Sequence, residues 1–204
     1  MLTEQLLDRL SATWRAHGVP IEDALAPGRA VESFTSDDGT LHVDLPEELR
    51  TWWAWHDGAP KEQRPISAWM MGPSLIPMSS TMSREWWQTT MREATTAAAE
   101  APEGSPLADP EYWWRETWVP LFSDGAGHLA ADCQPGPAGV TPIRRIEWGV
   151  YDGPPQPAAD SLGQMVEWWI EMIDLGIWTW DKDRGRWRKA PWEPEVERRY
   201  NGLS

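Results

Sequence analysis

The chain has 204 residues, which suits one domain, and its 32 acidic and 18 basic residues give a formal net charge of -14. That acidity opposes binding to nucleic acid and to anionic membranes, whose phosphates attract Lys and Arg, and it favours a cationic partner. A plainer interpretation stays open, because net charge of either sign also keeps a protein soluble.

The cysteine content and the hydropathy of the sequence indicate the cellular location of the protein. Its single cysteine, Cys133, excludes an internal disulfide and fits a reducing compartment. The first residues carry acids among their leucines and do not form a secretory signal, and no apolar run reaches the length of a membrane span. We therefore expect a cytoplasmic protein without a membrane anchor.

Tryptophan dominates the aromatic residues, with 17 Trp against three Tyr and two Phe. Its large ring is usually buried, and its N–H needs a hydrogen-bond partner. Tryptophan is also enriched where proteins bind one another. Composition leaves both roles open.

The N-terminal part predicts short elements around one clear helix. Apolar residues recur every fourth position from Leu2 to Trp14, which predicts an amphipathic helix. Val31 and Phe34, three positions apart, predict another short helical turn. Residues 41–45 alternate between apolar and polar, which predicts a strand.

The segment LPEELRTWWAWHDG predicts a second helix, which begins at Pro46 with acidic residues in its first turn and ends at Asp57. Its apolar stripe consists of Leu49, Trp52, Trp53 and His56. Trp55 lies off that stripe. We favour an amphipathic helix packed on a sheet over an aromatic ligand site.

The remaining elements follow without a regular alternation of helix and strand. They are a strand at 73–78, a helix that begins at Ser79 or Ser83, a loop at 100–106, a hairpin over 118–133, a strand at 140–148, a helix over 161–175 and a small hairpin at 177–188. Tyr151 continues the strand at 140–148 or begins another, and residues 153–157 end it. This order predicts an α+β fold. We expect one domain over residues 1–180, with a helical insertion near 79–110, and a charged C-terminal extension over 181–204.

No local motif indicates a reaction. The four histidines lack metal-ligand spacing and no phosphate-binding glycine loop is present, so we expect neither a metal nor a cofactor. Cys133 and His128 fall on opposite faces of one strand, which favours a buried or edge cysteine over a nucleophile. Asp124 and Asp132 permit a hydrolytic acid–base pair. We favour the alternative, in which Asp124 closes a turn and Asp132 caps a strand end.

Three segments together resemble the SUKH superfamily, which includes the fungal cell-wall assembly and killer-toxin-resistance regulators. They are LPEELRTWWAWHDG, WVPLFSDGAGHLAADC and SLGQMVEWWIEMID, and the resemblance covers roughly residues 45–175. It implies a single α+β domain whose mixed, mostly antiparallel sheet has helices packed around it. It also implies a non-catalytic role: immunity to toxins, often nucleases, for bacterial members and scaffolding in cell-wall signalling for fungal ones.

The resemblance and the charge suggest one leading hypothesis. A nuclease toxin is often basic because its substrate is anionic, so an acidic protein with exposed tryptophans could cover its active surface. We expect an immunity-type protein that binds such a toxin as a monomer or weak dimer. The predicted contact residues are Trp52, Trp53, Trp55, Asp57, Asp124 and Asp132. A regulatory scaffold and a hydrolase stay open as alternatives.

Overall fold

The computed structural model describes residues 1–59, 70–72, 75–123, 127–134, 140–147 and 156–190. In these ranges a five-stranded sheet has helices on both faces, and two further strand pairs lie outside it. The predicted α+β class is confirmed. Every described strand pairing is antiparallel.

The helices are α1 (Glu4–Ala16), α2 (Ile21–Ala24), α3 (Glu47–Trp55), α4 (Ser80–Glu100), α5 (Pro110–Trp113) and α6 (Leu162–Asp174), with a 3-10 turn at Pro106–Ala108. The strands are β1 (Ser33–Thr35), β2 (His42–Asp44), β3 (Ile76–Pro77), β4 (Trp118–Ser123), β5 (Gly127–Asp132), β6 (Ile143–Glu147), β7 (Gln156–Ala159), β8 (Trp178–Asp181) and β9 (Arg186–Lys189). No helix in the described ranges is both long and apolar enough to cross a membrane.

The central sheet runs in the order β3-β4-β5-β6-β7, so each strand pairs with the next in sequence. Strands β4 and β5 form the predicted hairpin, with Trp118 opposite Asp132 and a register shift between Pro120 and Phe122. All residues of β5 and all but the last of β4 are buried. Because side chains alternate between the faces of a strand, this burial means that both faces of the sheet are covered.

One face carries the main core, formed with α1, α3 and α6. Thr3 caps α1 by accepting a hydrogen bond from the Leu6 N–H, and Ser161 caps α6 in the same way. Phe122 of the sheet meets Trp52 of α3 and Trp169 of α6 edge to face, with ring centroids 5.4 and 5.3 Å apart. These rings join three elements in one buried cluster.

Helix α4 covers the opposite face, and the segment predicted as an insertion near 79–110 supplies this layer. Ser79 caps α4, and the Ser83 hydroxyl donates a hydrogen bond to the Pro120 carbonyl at 2.5 Å. Ala94 packs in a second apolar cluster with Trp114, which follows α5, and with Trp118 and Ala130 of the sheet. The layer therefore completes the core.

Two predictions from the sequence are wrong. The helical turn expected at Val31 and Phe34 is instead strand β1, whose Phe34 pairs with Val43 and packs against Trp53 at 5.4 Å. The region 153–157, expected to end a strand, contains the start of β7, which pairs with β6 at the sheet edge. Pro157 fits there because an edge strand tolerates a missing N–H. In both places tertiary pairing outweighs local preference.

The predicted boundary at residue 180 falls inside the β8–β9 hairpin. Trp187 of β9 is buried, and its indole N–H donates to the Met70 carbonyl at 2.7 Å. Trp187, which falls in the predicted extension, therefore packs on the domain, and residues 191–204 of that extension lie outside the described residues.

Candidate functional site

An acidic cleft of about 520 Å³ lies between α1, the segment that precedes β1, and α3. Its described lining consists of Glu4, Leu7, Asp8, Ala30, Val31, Glu32, Glu47, Arg50, Thr51, Ala54 and Trp55. Pockets of this size accommodate small ligands or one protruding side chain.

Helical spacing brings these residues to one surface. Glu4 and Asp8 stand four positions apart on α1, so they occupy the same face. On α3, Glu47, Thr51 and Ala54 follow one another at spacings of four and three and face away from the buried stripe. The cleft is thus formed where the polar faces of two helices approach each other.

The cleft has an excess of negative charge. Four carboxylates line it, and Arg50 is the one basic residue among its described lining residues. The Arg50 guanidinium donates a hydrogen bond to Glu32 Oε2 at 2.8 Å, and this contact with Glu32 raises the pKa of Arg50. Both partners are well exposed, at 45 and 75%, so water screens the pair.

Trp55 supplies the aromatic wall of the cleft. It is half-buried, and its ring stacks on Trp14 with centroids 5.7 Å and planes 25° apart. It also meets Trp52 at 5.4 Å and His56 at 4.5 Å. Packing against these rings fixes the indole in place before any ligand arrives, which lowers the entropic cost of binding.

The predicted contact residues that the structure describes do not share one surface. Trp52 and Trp53 are 1 and 0% exposed, and the Trp53 indole donates to the Met78 carbonyl at 3.2 Å. Both belong to the core, so neither reaches a partner in this fold. Asp57 is half-buried and accepts the Ser80 N–H at 2.6 Å, which ties the end of α3 to the start of α4. Of the tryptophans predicted at the contact, Trp55 alone lines the cleft.

Asp132 of the central hairpin also lies apart from the cleft. Asp132 is buried at the end of β5, where it pairs with Arg144 at 2.9 Å and accepts the Gln134 N–H at 3.3 Å. This geometry matches the strand-end role favoured above. Asp124 lies outside the described residues. Cys133 is buried, and burial beside Asp132 raises the pKa of its thiol, which keeps it protonated.

Sequence reasoning missed the four acidic residues of the cleft, because it ranked aromatic side chains above charged ones. One signal was available: Glu4 and Asp8 are one turn apart, and Glu47 and Thr51 repeat that spacing on α3. The approach of the two helices is a tertiary feature that neither spacing predicts.

A second cleft, of about 540 Å³, lies between the β1–β2 turn and α4. Asp38 in this turn accepts hydrogen bonds from the Ser36 hydroxyl at 2.6 Å, the Thr40 N–H at 3.0 Å and the Thr40 hydroxyl at 2.8 Å. These bonds lower the pKa of Asp38 to about 2. Its carboxylate holds the turn together. Among the described residues, no three His, Cys, Asp or Glu side chains gather as metal ligands.

Comparison with known proteins identifies the family. No curated protein matches the chain. The model of the SMI1 / KNR4 family (SUKH-1) matches residues 39–168, which is more than half of the chain and spans α3, α4 and the central hairpin. The resemblance inferred from three sequence segments is therefore confirmed, and the chain belongs to the SMI1 / KNR4 family (SUKH-1).

Proposed function

We propose that this chain is a non-catalytic, immunity-type protein that binds and neutralises a basic toxin domain in the cytoplasm, with the acidic cleft at the centre of the contact. The observation that carries the proposal is the combination of four carboxylates and the fixed indole of Trp55 in one concave surface. Membership of the family is compatible with this role.

Electrostatics favour such a partner. A toxin that cleaves nucleic acid presents Lys and Arg to its anionic substrate. An inhibitor with a net charge of -14 attracts that surface over a distance and accelerates the encounter. The cleft then offers carboxylates to a basic side chain that enters it.

A tryptophan at the centre of the contact adds affinity that charge alone does not supply. Buried Trp and Arg residues dominate the binding energy of many interfaces. Trp55 is already held by Trp14 and Trp52, so little side-chain freedom is lost on binding. The proposal therefore replaces the contact region predicted from the sequence with the cleft and keeps only Trp55 from it.

A second candidate is a regulatory scaffold that binds a cellular enzyme, since the matched family is also compatible with regulation. The acidic cleft would serve a basic enzyme surface equally well. We do not propose hydrolysis by Asp124 and Asp132, because Asp132 is buried and paired with Arg144.

The proposal is tested by calorimetric titration with a basic nuclease toxin domain, sought first among the genes beside this one, at about 50 and 300 mM salt, because added salt weakens exposed charge contacts. The cleft variant carries Glu4→Gln, Asp8→Asn and Glu47→Gln. The matched control carries Glu93→Gln, Glu100→Gln and Glu103→Gln, which remove the same charge from exposed positions outside the cleft.

We expect the wild-type protein to bind and to protect cells from the toxin. The cleft variant should bind the toxin domain at least about tenfold more weakly, since close charge pairs at interfaces contribute on this scale. The control variant should lose much less affinity. Equal losses for the two variants would show that only bulk charge matters. Unchanged binding by the cleft variant would exclude the cleft.

A further inference from the structure

We propose that the acidic cleft receives an arginine side chain of its protein partner, and that Arg50 acts in the free protein as an internal competitor for the same carboxylates. This inference rests on the proposed function, because it names the group that the cleft recognises. It is carried by the shape of the cleft and by the guanidinium that already lies in it.

The contact of Arg50 with Glu32 demonstrates the chemistry of the cleft. A guanidinium nitrogen lies 2.8 Å from a Glu32 carboxylate oxygen, the geometry of a charge-assisted hydrogen bond. The chain therefore already places one guanidinium among these acids. A second guanidinium, brought by a partner, would meet the same type of acceptor.

A competing cation can readily displace Arg50 from its ion pair with Glu32. Glu32 is 75% exposed and Arg50 is 45% exposed, so water reaches both side chains. Exposed pairs of this kind contribute little stability, because water competes for both charges and ordering the side chains costs entropy. A partner that excludes water from the cleft strengthens its own contact and gains over Arg50.

The cleft also has acceptors that Arg50 does not neutralise. Glu4 and Asp8 of α1 line it beyond the reach of the Arg50–Glu32 hydrogen bond, Glu47 attracts Arg50 only through space, and Arg50 is the one basic side chain among the described lining residues. One cation opposite four carboxylates leaves an excess of acceptors. An entering guanidinium, with five N–H donors, can use several of them.

Trp55 selects arginine over lysine. The guanidinium is planar, weakly hydrated and able to stack on an aromatic ring, whereas the ammonium of lysine is compact and strongly hydrated. Trp55 is held in the wall of the cleft by its stacking on Trp14. A cleft lined by carboxylates without an aromatic ring would bind arginine and lysine side chains alike.

The probes are two peptides, acetyl-Gly-Arg-Gly-Arg-Gly-amide and the same peptide with lysine in place of arginine. They are titrated into the full isotope-labelled chain, and the Trp55 indole N–H and the Thr51 and Ala54 amides are followed by NMR. Trp55→Phe assigns the indole signal. Because no toxin is present, this titration examines the cleft independently of neutralisation.

The decisive variant is Arg50→Gln, and its matched control is Arg15→Gln. Arg15 is also an exposed helix residue with a carboxylate partner, Glu22 at 3.1 Å, but it does not line the cleft. Both variants remove one positive charge. A general increase in negative charge would therefore strengthen peptide binding equally in the two.

We expect the arginine peptide to shift the signals of the cleft and to bind more tightly than the lysine peptide. Arg50→Gln should tighten binding of the arginine peptide by about threefold relative to Arg15→Gln, the scale of a weak exposed ion pair. Trp55→Leu should reduce the preference for arginine. Together these results would support the inference.

Several results would overturn the inference. They are shifts confined to residues outside the cleft, equal binding of the two peptides, and an Arg50→Gln variant that binds no more tightly than Arg15→Gln. If the toxin is neutralised through the cleft but the arginine peptide is not preferred, the arginine inference alone fails. If the peptide binds as expected but cleft variants still neutralise the toxin, the proposed function of the cleft fails.

Discussion

The carboxylate of Glu48 accepts a hydrogen bond from the backbone N–H of Gly163 at 3.2 Å, although 115 positions separate the two residues. The same oxygen accepts the Leu2 N–H at 2.5 Å. Glu48 is fully buried, so one acidic group joins α3, the first turn of α6 and the residues before α1. The first turn of a helix has unpaired N–H groups and a partial positive charge, which suit a carboxylate.

Replacement of Glu48 by alanine should destabilise the fold strongly. Two buried N–H donors would lose a charged acceptor, and we expect a loss of about 3 kcal/mol in the free energy of unfolding. Urea denaturation measures this loss. The matched control is Glu47→Ala, because Glu47 is exposed and should change stability by less than about 0.5 kcal/mol. Equal effects would contradict the structural role of Glu48.

Alanine substitutions at Gly58 and Gly39 distinguish the cost of backbone strain from the cost of a steric clash. Both glycines have positive φ angles, +67° and +72°, so alanine at either should cost about 1–2 kcal/mol. A Cβ at Gly58 would lie 2.5 Å from backbone atoms of Met78 and Ser79, whereas a Cβ at Gly39 would meet nothing within 4 Å. We expect Gly58→Ala to lose about 2 kcal/mol more than Gly39→Ala in thermal unfolding. Similar losses would show that the chain around Gly58 relaxes.

Trp52 and Trp55 should respond differently to truncation. Trp52 is buried between Phe122 and Trp169, so Trp52→Ala should cost about 3–5 kcal/mol. Trp55 is half-buried, so Trp55→Ala should cost clearly less stability. Chemical denaturation of both variants tests this order. A larger loss for Trp55→Ala would place the indole in the core instead of the cleft wall.

Asp38 should give the β1–β2 turn an acid-sensitive contribution. Its folded-state pKa of about 2 lies below the ordinary value of 3.8, mainly because the Ser36 hydroxyl donates to it. The carboxylate therefore stabilises the turn above about pH 4, and this contribution is lost as the pH falls toward 2. NMR titration of the carboxyl carbon should show the low midpoint. Ser36→Ala should raise it, and a wild-type midpoint at 3.8 would contradict the geometry.

The Cys133 thiol should be inert in the native protein. It is buried and its pKa is raised, so little thiolate forms at neutral pH. An aromatic disulfide reagent should label it slowly in buffer and rapidly in guanidinium chloride. Because the chain has one cysteine, the reaction reports a single site. Fast labelling of the folded protein would mean that the end of β5 opens readily.

The sequence predicts well those elements whose signals are local. Pro46 and the acidic first turn mark the start of α3, and Leu49, Trp52 and Trp53 of the predicted stripe are buried. The fourth member, His56, is half-buried and lies just past the end of the helix. Ser161 and the broad apolar face that follows it likewise predict α6. These features depend on neighbours within a few positions, so a single sequence contains the necessary information.

Features that depend on residues distant in sequence could not be predicted from local signals. Strand β1 exists because β2 pairs with it, and β7 because β6 does. Glu47 and Glu48 are adjacent and chemically alike, yet one faces the acidic cleft and the other is buried. What distinguishes them is the position of Gly163 and Leu2, which only the folded chain provides.

The packing of α1 against α6 has a consequence for synthesis. Leu6, Leu10 and Trp14 are synthesised about 150 residues before the helix that helps to bury them, Leu162–Asp174. Local contacts cannot hide this apolar face in the meantime, because its partners are distant in sequence. The core therefore closes only when most of the domain has been translated. Until then the nascent chain exposes a hydrophobic helix that chaperones can bind.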